Sequence, residues 1–249
     1  MSQDVAGKVA LITGASRGIG AATAQLLAAQ GARVAINYRS RAARAEKIAA
    51  QIAEAGGEAF PIQADVTDAP AVSRMIDQII DRWGHLDILV LNASGGMEKD
   101  MPADYALTLN RDAQVSVAQA AQNVMSVGSR IVFVTSHQAH FIRDTPTLPE
   151  YQPVAESKRA GEDALRKLIP DLASRGIEFV VVSGDMIVGT ATAMLLNRIN
   201  PGVLEARQSQ VGKLYSVEEF AAEIVDAVTA PIPPDNIRLV GDVSTFTQE

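Results

Sequence analysis

Three glycines near the start of the chain have the spacing of a phosphate-binding turn. An apolar, β-prone run ends at Thr13, and Gly14, Gly18 and Gly20 then lead into an alanine-rich helix. Gly14 would allow a tight turn, Gly18 would let the backbone approach a pyrophosphate, and Gly20 would let the helix pack on the strand. The N–H groups at the start of that helix would face the phosphates. The G-x-x-x-G-x-G spacing therefore predicts a bound dinucleotide, the alternative being a plain glycine turn.

The residues after the second apolar run favour a phosphorylated dinucleotide. NAD(H) is usually held at this point by an Asp or Glu that binds the ribose hydroxyls. This chain instead offers Arg39, Ser40 and Arg41, with Arg17 in the glycine turn nearby. Because a guanidinium grips a phosphate in bidentate fashion, NADP(H) is predicted rather than NAD(H). The alternative is a solvated basic helix start.

Two later runs also end in residues suited to a cofactor. Asp65 follows the third run, where its carboxylate either accepts from an adenine amino group or only caps a turn. Residues 92–96, Asn-Ala-Ser-Gly-Gly, follow the fourth run. Small residues let backbone lie close to a flat ring, although a strand-end turn is often glycine-rich for its own sake.

Apolar runs and amphipathic or alanine-rich stretches alternate along the whole chain, as strands and helices do in α/β proteins. The predicted strands are Val9–Thr13, Arg33–Tyr38, Glu58–Gln63, Leu86–Leu91, Arg130–Thr135, Glu178–Ser183 and Ile237–Val240. The predicted helices are Gly18–Gln30, Ser40–Ala55, Ala69–Trp83, Asp104–Ser126, Pro153–Ala173 and Val217–Thr229. Helix ends are expected at Gly31, Gly56-Gly57, Gly128 and Gly176.

Strands separated by helices need crossover connections and form a parallel sheet. The predicted fold is therefore α/β: a doubly wound Rossmann fold with a seven-stranded, mostly parallel sheet and helices on both faces. The absence of a linker or repeat predicts one domain, residues 1–249. Residues 190–212 would lie beside the cleft at the strand carboxyl ends, and they are predicted to form a helical substrate lid.

Composition narrows the function. The 249 residues are 47% hydrophobic and 20% charged, which is typical of a globular core. The net charge of −7 argues against a nucleic-acid surface, and the lack of cysteine excludes disulfides and thiolate chemistry. Residues 1–4 do not resemble a signal peptide, and no apolar run has membrane-spanning length. The prediction is a cytoplasmic protein with a small-molecule substrate, and with no nucleic-acid, membrane or metal partner.

In combination these motifs resemble the short-chain dehydrogenase/reductase family over essentially the whole chain. The matching residues are Thr13-Gly-x-x-x-Gly-Ile-Gly20, Asp65-Val66, Leu86–Val90 with Asn92-Ala93, Asn110, Ser136, Ser157-Lys158 and Val211-Gly212-x-x-x-Ser216-x-Glu218-Glu219. The resemblance implies NADP(H), hydride transfer between a nicotinamide and a carbonyl or alcohol, and a homodimer or homotetramer. The expected cofactor-binding residues are Gly14, Ser16, Arg17, Gly18, Ile19, Gly20, Tyr38, Arg39, Ser40, Asp65, Val66, Asn92, Ala93, Ser94, Lys158, Gly184, Ile187 and Thr190.

The catalytic residues of the family are only partly present. In the family an Asn positions a water, a Ser binds the substrate oxygen, a Tyr transfers the proton, and a Lys binds ribose and lowers the pKa of the tyrosine. Asn110, Ser136 and Lys158 stand at the matching positions. The Tyr-x-x-x-Lys pattern, which puts the two side chains one helical turn apart, fails because Val154 replaces the tyrosine.

Several groups are candidates to supply the missing proton. Tyr151 is the nearest tyrosine, and Pro153 is expected to open the helix and leave Tyr151 in a loop that can bend back. His137 and His140 follow the fifth strand, and imidazole is the commonest general acid or base, although both are also explained as loop histidines. Lys158 itself and a water held by Ser136 are further candidates for the proton donor.

Two other departures from the family lie after Lys158 in the chain. Where family members commonly have Pro-Gly after the sixth strand, this chain has Gly184-Asp185, which adds a charge near the cofactor amide. Pro170 lies inside the helix predicted after Lys158 and should kink or end that helix. Thr190 or Thr192 could contact the diphosphate. The apolar residues that suggest an apolar ligand, or else only pack a lid, are Phe141, Met186, Met194, Leu195 and Leu196.

Two functional hypotheses follow. The first is an NADP(H)-dependent oxidoreductase with an atypical proton donor, supported by the three matching catalytic residues. The second is a catalytically degenerate NADP(H)-binding sensor or scaffold, supported by Val154 and the altered Pro-Gly. Fold alone does not choose between them.

Overall fold

The computed structural model, which describes residues 4–98 and 100–247, contains one seven-stranded parallel sheet. The strands are β1 Val9–Ile12, β2 Arg33–Tyr38, β3 Glu58–Gln63, β4 Leu86–Leu91, β5 Met125–Ser136, β6 Glu178–Gly184 and β7 Ile237–Val240. Their order is β3-β2-β1-β4-β5-β6-β7, and every neighbouring pair is parallel. The chain therefore reverses its direction of strand addition between β1 and β4, where α/β sheets form their ligand crevice.

Helices flank this sheet on both faces, so the predicted doubly wound fold is confirmed. They are α1 Gly18–Ala29, α2 Ala42–Glu54, α3 Ala69–Trp83, α4 Tyr105–Leu107, a π-helical turn Thr108–Asp112, α5 Ala113–Gln122, α6 His137–His140, α7 Gln152–Arg166, α8 Ile169–Ser174, α9 Ala191–Ile199, α10 Val203–Val211 and α11 Val217–Thr229.

Two apolar clusters hold the layers together because successive strand residues point to opposite faces. Leu11 of β1 belongs to the cluster that contains buried residues of α3 and α5, whereas Ile12 belongs to the cluster with α1, α2 and α11. Both side chains are fully buried. Burial on both faces explains why the strands read as continuous apolar runs in the sequence.

The prediction of one helix over Asp104–Ser126 is wrong. A π-helical turn interrupts that segment, α5 ends at Gln122, and β5 begins at Met125. Gly128, predicted as a helix end, instead lies inside β5 with φ +85°, close to a register shift in the pairing with β4. A short apolar run is ambiguous between helix and strand, and here pairing with β4 decides the outcome.

The helix predicted over Pro153–Ala173 is divided in two. α7 ends at Arg166, and α8 begins at Ile169 with Pro170 in its first turn. Proline lacks the N–H that a helix interior needs but is tolerated in a first turn. The predicted break at Pro170 is confirmed.

Two helices, α9 and α10, occupy most of residues 190–212, between β6 and α11. Gly202, with φ +87°, separates them. Across the described ranges no helix combines the length and apolar character needed to cross a bilayer.

Candidate active site

One large cavity of about 930 Å³ opens along the carboxyl ends of the central strands. Its wall includes seventeen of the eighteen residues predicted to bind the cofactor, and the exception is Gly184. Ser136, Tyr151 and Lys158 line the same cavity. The fold therefore brings most of the predicted site together at the switch point between β1 and β4.

The glycine turn is built for close backbone packing. Gly14 has φ +64°, and a Cβ on it would lie 3.0 Å from Ala93 Cα; a Cβ on Gly20 would lie 2.6 Å from Asn92 Nδ2. Gly18 has φ +55°, and a Cβ there would meet no described atom within 4 Å. Gly14 and Gly20 thus let the turn pack against the end of β4, while the backbone at Gly18 faces open space.

Two polar residues that sequence reasoning overlooked hold this turn in place. Asn37 Oδ1 accepts a hydrogen bond from the Gly14 N–H, and Asn37 Nδ2 donates to the Ala64 carbonyl. Thr13 Oγ1 accepts from the backbone N–H groups of Asn92 and Ala93. Both residues are buried, and only the contacts between strands reveal them.

The start of α1 suits an anionic group. In the described part of the chain no side chain caps its first turn, and its first-turn residues Gly18–Gly20 line the cavity. Uncapped N–H groups at a helix N-terminus attract phosphate. The open space at Gly18 and these free donors fit the diphosphate of a dinucleotide.

Basic side chains gather at the β2 end of the cavity. Arg17, Arg39, Arg41 and Arg44 line it together with Ser40. Arg39 Nη1 donates to Tyr105 Oη at 2.6 Å, and this hydrogen bond raises the pKa of Arg39. Asp65 also lines the cavity, while its Oδ1 accepts from the backbone and side chain of Thr67, so the turn-capping alternative does occur.

Tyr151 reaches the site by a different route from the family pattern. It is the N-cap of α7, with its side chain buried, and its hydroxyl lies 3.2 Å from Ser136 Oγ. Ser136 ends β5 and caps α6 by accepting from the Ala139 N–H. The loop before α7 thus bends back and delivers a phenol to the serine although Val154 holds the family position. Val154 packs in an apolar cluster with Tyr151 and Leu196.

Burial shifts the pKa of both ionisable groups at this point. Burial raises the pKa of Tyr151, and its hydrogen bond with Ser136 opposes that shift. Burial lowers the pKa of Lys158 to about 8. A neutral phenol and a readily deprotonated lysine are therefore present in one cavity.

His137, a candidate proton donor, does not line this cavity. It is fully buried, with Nε2 3.1 Å from the Val240 carbonyl and Nδ1 2.8 Å from Ser183 Oγ. Because a carbonyl only accepts, Nε2 carries the hydrogen and Nδ1 accepts from the serine. Burial lowers the pKa of His137 to about 4. His140 is likewise engaged, with Nδ1 2.9 Å from Glu162 Oε2.

The side chain of Asn110 makes three hydrogen bonds within the protein. Its Nδ2 donates to the Gly95 carbonyl and to Ser157 Oγ, and its Oδ1 accepts from the Gly95 N–H. A Cβ on Gly161 would collide with the Asn110 carbonyl oxygen, so α7 lies directly against the π-helical turn. The Asn110 amide therefore joins the loop after β4 to α7, the helix that carries Lys158.

The end of β6 also departs from the expectation. Gly184 is not part of the cavity wall, because it packs against the ring of Phe220, where a Cβ would collide. Asp185 is paired with Arg207 of α10 at 2.7 Å and accepts from Gln138 Nε2 at 2.6 Å. The negative charge expected beside the cofactor amide is therefore compensated by a cation from α10.

The lid side of the cavity is apolar. Met186, Met194, Leu195 and Leu196 line it as predicted, whereas Phe141 stacks on Phe246 outside the cavity wall. Thr190 lines the cavity and caps α9 by accepting from the Ala193 N–H. No group of three acidic or histidine side chains suited to a metal occurs within residues 4–98 and 100–247.

Known proteins resemble this chain in sequence over most of its length. The family model for short chain dehydrogenases matches residues 8–200. A versicolorin reductase of Emericella nidulans is 33% identical over 239 residues, which cover 92% of this chain and 83% of that protein. A short-chain dehydrogenase/reductase of Pestalotiopsis microspora is 36% identical over 194 residues, which cover 76% of this chain and 71% of that protein.

A solved structure extends the likeness to three dimensions. The short chain dehydrogenase of Burkholderia cenocepacia J2315 in complex with NADP superimposes with a TM-score of 0.77 at 31% identity, covering 96% of this chain and 98% of that chain. The family match alone runs from β1 into α9. It therefore contains the glycine turn, Ser136, Tyr151 and Lys158.

Proposed function

The chain belongs to the short-chain dehydrogenase/reductase family, and we propose that it reduces an apolar carbonyl compound with NADPH, using Tyr151 as the proton donor. The observation that carries this proposal is the 3.2 Å approach of Tyr151 Oη to Ser136 Oγ. Both groups line the cavity that also contains Lys158 and the glycine turn. A family member with a phenol beside its serine has the parts that carbonyl reduction requires.

The residues of the cavity fit a phosphorylated dinucleotide. Members of this family bind a nicotinamide cofactor, and the B. cenocepacia protein holds NADP. The first turn of α1 would bind the diphosphate, and the guanidinium groups after β2 would bind a 2′-phosphate, since no carboxylate ends that strand. Lys158 would hold the ribose next to the nicotinamide. When bound, this cofactor supplies or accepts the hydride.

The two hydroxyl groups divide the work on the substrate oxygen. At 3.2 Å apart, Ser136 Oγ and Tyr151 Oη can both donate to one carbonyl oxygen, which polarises the carbonyl group and stabilises the negative charge that develops there. Tyr151 then transfers its proton to that oxygen, giving the alcohol. Because burial raises the pKa of Tyr151, the phenol keeps its proton at neutral pH and serves as an acid.

The lid and Val154 favour an apolar carbonyl substrate. Val154 stands where the family has its tyrosine and forms part of the cavity wall with methionines and leucines of the lid. The E. nidulans relative is by its name a reductase of versicolorin. We expect an apolar ketone or aldehyde with residues 190–212 acting as the substrate lid, in a homodimer or homotetramer.

The second candidate is an NADP(H)-binding sensor or scaffold without turnover. One observation favours it: with Val154 in the family position, the ammonium of Lys158 has no phenol one helical turn before it. Such a protein would keep the cofactor site and lose the chemistry.

Turnover separates the two candidates. Wild type should bind NADPH by fluorescence titration and consume it with at least one member of a panel of apolar ketones, quinones and aldehydes. Tyr151→Phe should lower kcat by roughly 10²-fold or more with little change in NADPH affinity, because it removes only the acid.

Tyr215→Phe, the same change outside the cavity wall, is the matched control and should leave kcat unchanged. NADPH binding without turnover of any compound would favour the sensor. An active Tyr151→Phe enzyme would show that another group donates the proton.

A further inference from the structure

One contact bridges the two walls of the cavity at its basic end. Arg39, just after β2, donates from Nη1 to the hydroxyl of Tyr105 at the start of α4, 66 residues later, at 2.6 Å. Both side chains line the cavity. The bond therefore joins a loop beside β2 to the segment that follows β4, across the strands that flank β1.

The two partners differ in burial. The ring of Tyr105 is 9% exposed and packs in the core cluster that contains Leu91 and Leu109, and its backbone N–H donates to the Pro102 carbonyl. Arg39 is exposed on a bend after β2. A buried ring held by a helix start is the fixed partner, so Tyr105 determines where the guanidinium of Arg39 lies.

We propose that Tyr105 is a positioning residue for the 2′-phosphate site, holding the Arg39 guanidinium in place before the cofactor arrives. This proposal rests on the proposed use of NADPH. Sequence reasoning missed Tyr105 because it lies 66 residues from Arg39, in a segment that carries no cofactor motif.

A phenol is well suited to this task because it is neutral. Where a carboxylate binds a guanidinium, as Asp112 binds Arg111, the pair has no net charge to offer a phosphate. Tyr105 takes one of the five N–H donors of Arg39 and leaves its charge in place. The other charged groups lining this part of the cavity are Arg17, Arg41, Arg44, Asp65 and Glu98.

Fixing the side chain in advance also saves entropy on binding. An arginine loses much rotamer freedom when it is immobilised. Where Tyr105 already restricts Arg39, less of this loss falls on the binding step. The smaller entropy loss favours only a ligand that contacts the guanidinium. The affinity for a cofactor without the 2′-phosphate should therefore not depend on it.

The test is the affinity for NADPH and NADH of wild type and Tyr105→Phe, measured by fluorescence titration or calorimetry without substrate. We expect the Kd of NADPH to rise by about three- to tenfold, the effect of one lost hydrogen bond, and the Kd of NADH to change by less than about twofold. Tyr215→Phe, the matched control, should change neither value.

A double-mutant cycle separates positioning from simple loss of structure. In an Arg39→Met background, Tyr105→Phe should no longer affect NADPH, because the group that it positions is gone. Equal weakening of both cofactors, no weakening of NADPH, or an unchanged effect in the Arg39→Met background would each overturn the proposal. If wild type itself does not prefer NADPH, the proposed function fails first, and that result is visible before any variant is made.

Discussion

Tyr151 stands at the very start of α7, three residues before Val154 and seven before Lys158. It forms the N-cap with helical backbone dihedrals, and its carbonyl accepts from the Ala155 N–H. Residues three and seven positions apart lie on about the same face of a helix. The phenol can therefore come from three residues upstream of the family position, while Lys158 remains on the helix. The shift leaves an apolar valine beside the reacting groups.

The burial of Tyr151 and Lys158 predicts how the rate of reduction depends on pH. Burial raises the pKa of Tyr151, so the phenol stays protonated through neutral and mildly alkaline pH. Burial lowers the pKa of Lys158 to about 8, so the ammonium loses its charge above that value and binds ribose hydroxyls less firmly. The kcat/KM for NADPH, which reports groups of the free enzyme, should fall above a pH of about 8.

Lys158→Met identifies the group responsible. The variant should have a low kcat/KM that no longer changes across the pH range in which the wild-type value falls. If the same fall persists in the variant, another group titrates there and the assignment to Lys158 is wrong.

At the scale of elements, α10 of the proposed lid is tied to the end of β6 by a buried ion pair. The side chains of Arg207 on α10 and Asp185 after β6 are only 12% and 9% exposed. Arg207 also donates to Thr245 and lies over the ring of Phe246, and Asp185 holds the amide of Gln138, two residues after Ser136. Helix α10 is therefore joined both to the C-terminal segment and to the wall that carries the serine.

Breaking this pair should loosen the lid. Arg207→Met keeps much of the side-chain stem but leaves the Asp185 carboxylate poorly compensated, which we expect to cost roughly 2–4 kcal/mol in the free energy of unfolding. The KM for the carbonyl substrate should rise more than the Kd of NADPH, because the glycine turn lies on other elements. Denaturant unfolding, steady-state kinetics and NADPH titration measure these three quantities.

Arg198→Met is the matched control, since Arg198 is exposed on α9 of the same lid. It should change the free energy of unfolding by no more than about 0.5 kcal/mol. Equal effects of the two substitutions would mean that the ion pair has no special part in holding the lid.

At the scale of the whole molecule, His137 joins three strands at one end of the sheet. It follows β5, contacts Ser183 of β6 and Val240 of β7, and lies against the ring of Phe246. The folded protein keeps this imidazole neutral, since burial lowers its pKa to about 4 from 6.5. An unfolded chain binds the proton at the higher value, so acid favours unfolding.

The free energy of unfolding should therefore fall as the pH drops from about 6.5 to about 4. The loss attributable to His137 should be roughly 3 kcal/mol and should level off below that window. His137→Asn removes the titrating group, so its stability should depend less on pH there, even if the variant is less stable overall. Denaturant unfolding at a series of pH values measures the slope.

His85→Asn provides the comparison, because His85 is partly exposed beside Asp87. It should keep the wild-type slope between about pH 6.5 and pH 4. A slope that is unchanged in His137→Asn would assign the acid sensitivity to other groups.

Much of the fold and of the cofactor site could be predicted from local sequence. The glycine turn, the arginines after β2 and the strand ends at Asp65 and Asn92 reach the same cavity because parallel strands direct their carboxyl ends to one edge. Six of the seven predicted strands match at both ends or within one residue at one end, since burial on both faces makes them continuous apolar runs. Such features depend on residues close together in the chain.

The tertiary structure alone decided which polar groups are available for chemistry. Ser136 Oγ and Tyr151 Oη lie within hydrogen-bond distance of each other. His137 contacts β6 and β7 instead of the cavity. The Asn110 amide binds Gly95 and Ser157. Tyr105 and Arg39 pair across 66 residues. A side chain's spacing along the chain predicts its neighbours only within a regular element. Across a loop, the packing of distant elements determines whether a polar group is hydrogen-bonded inside the protein or faces the cavity.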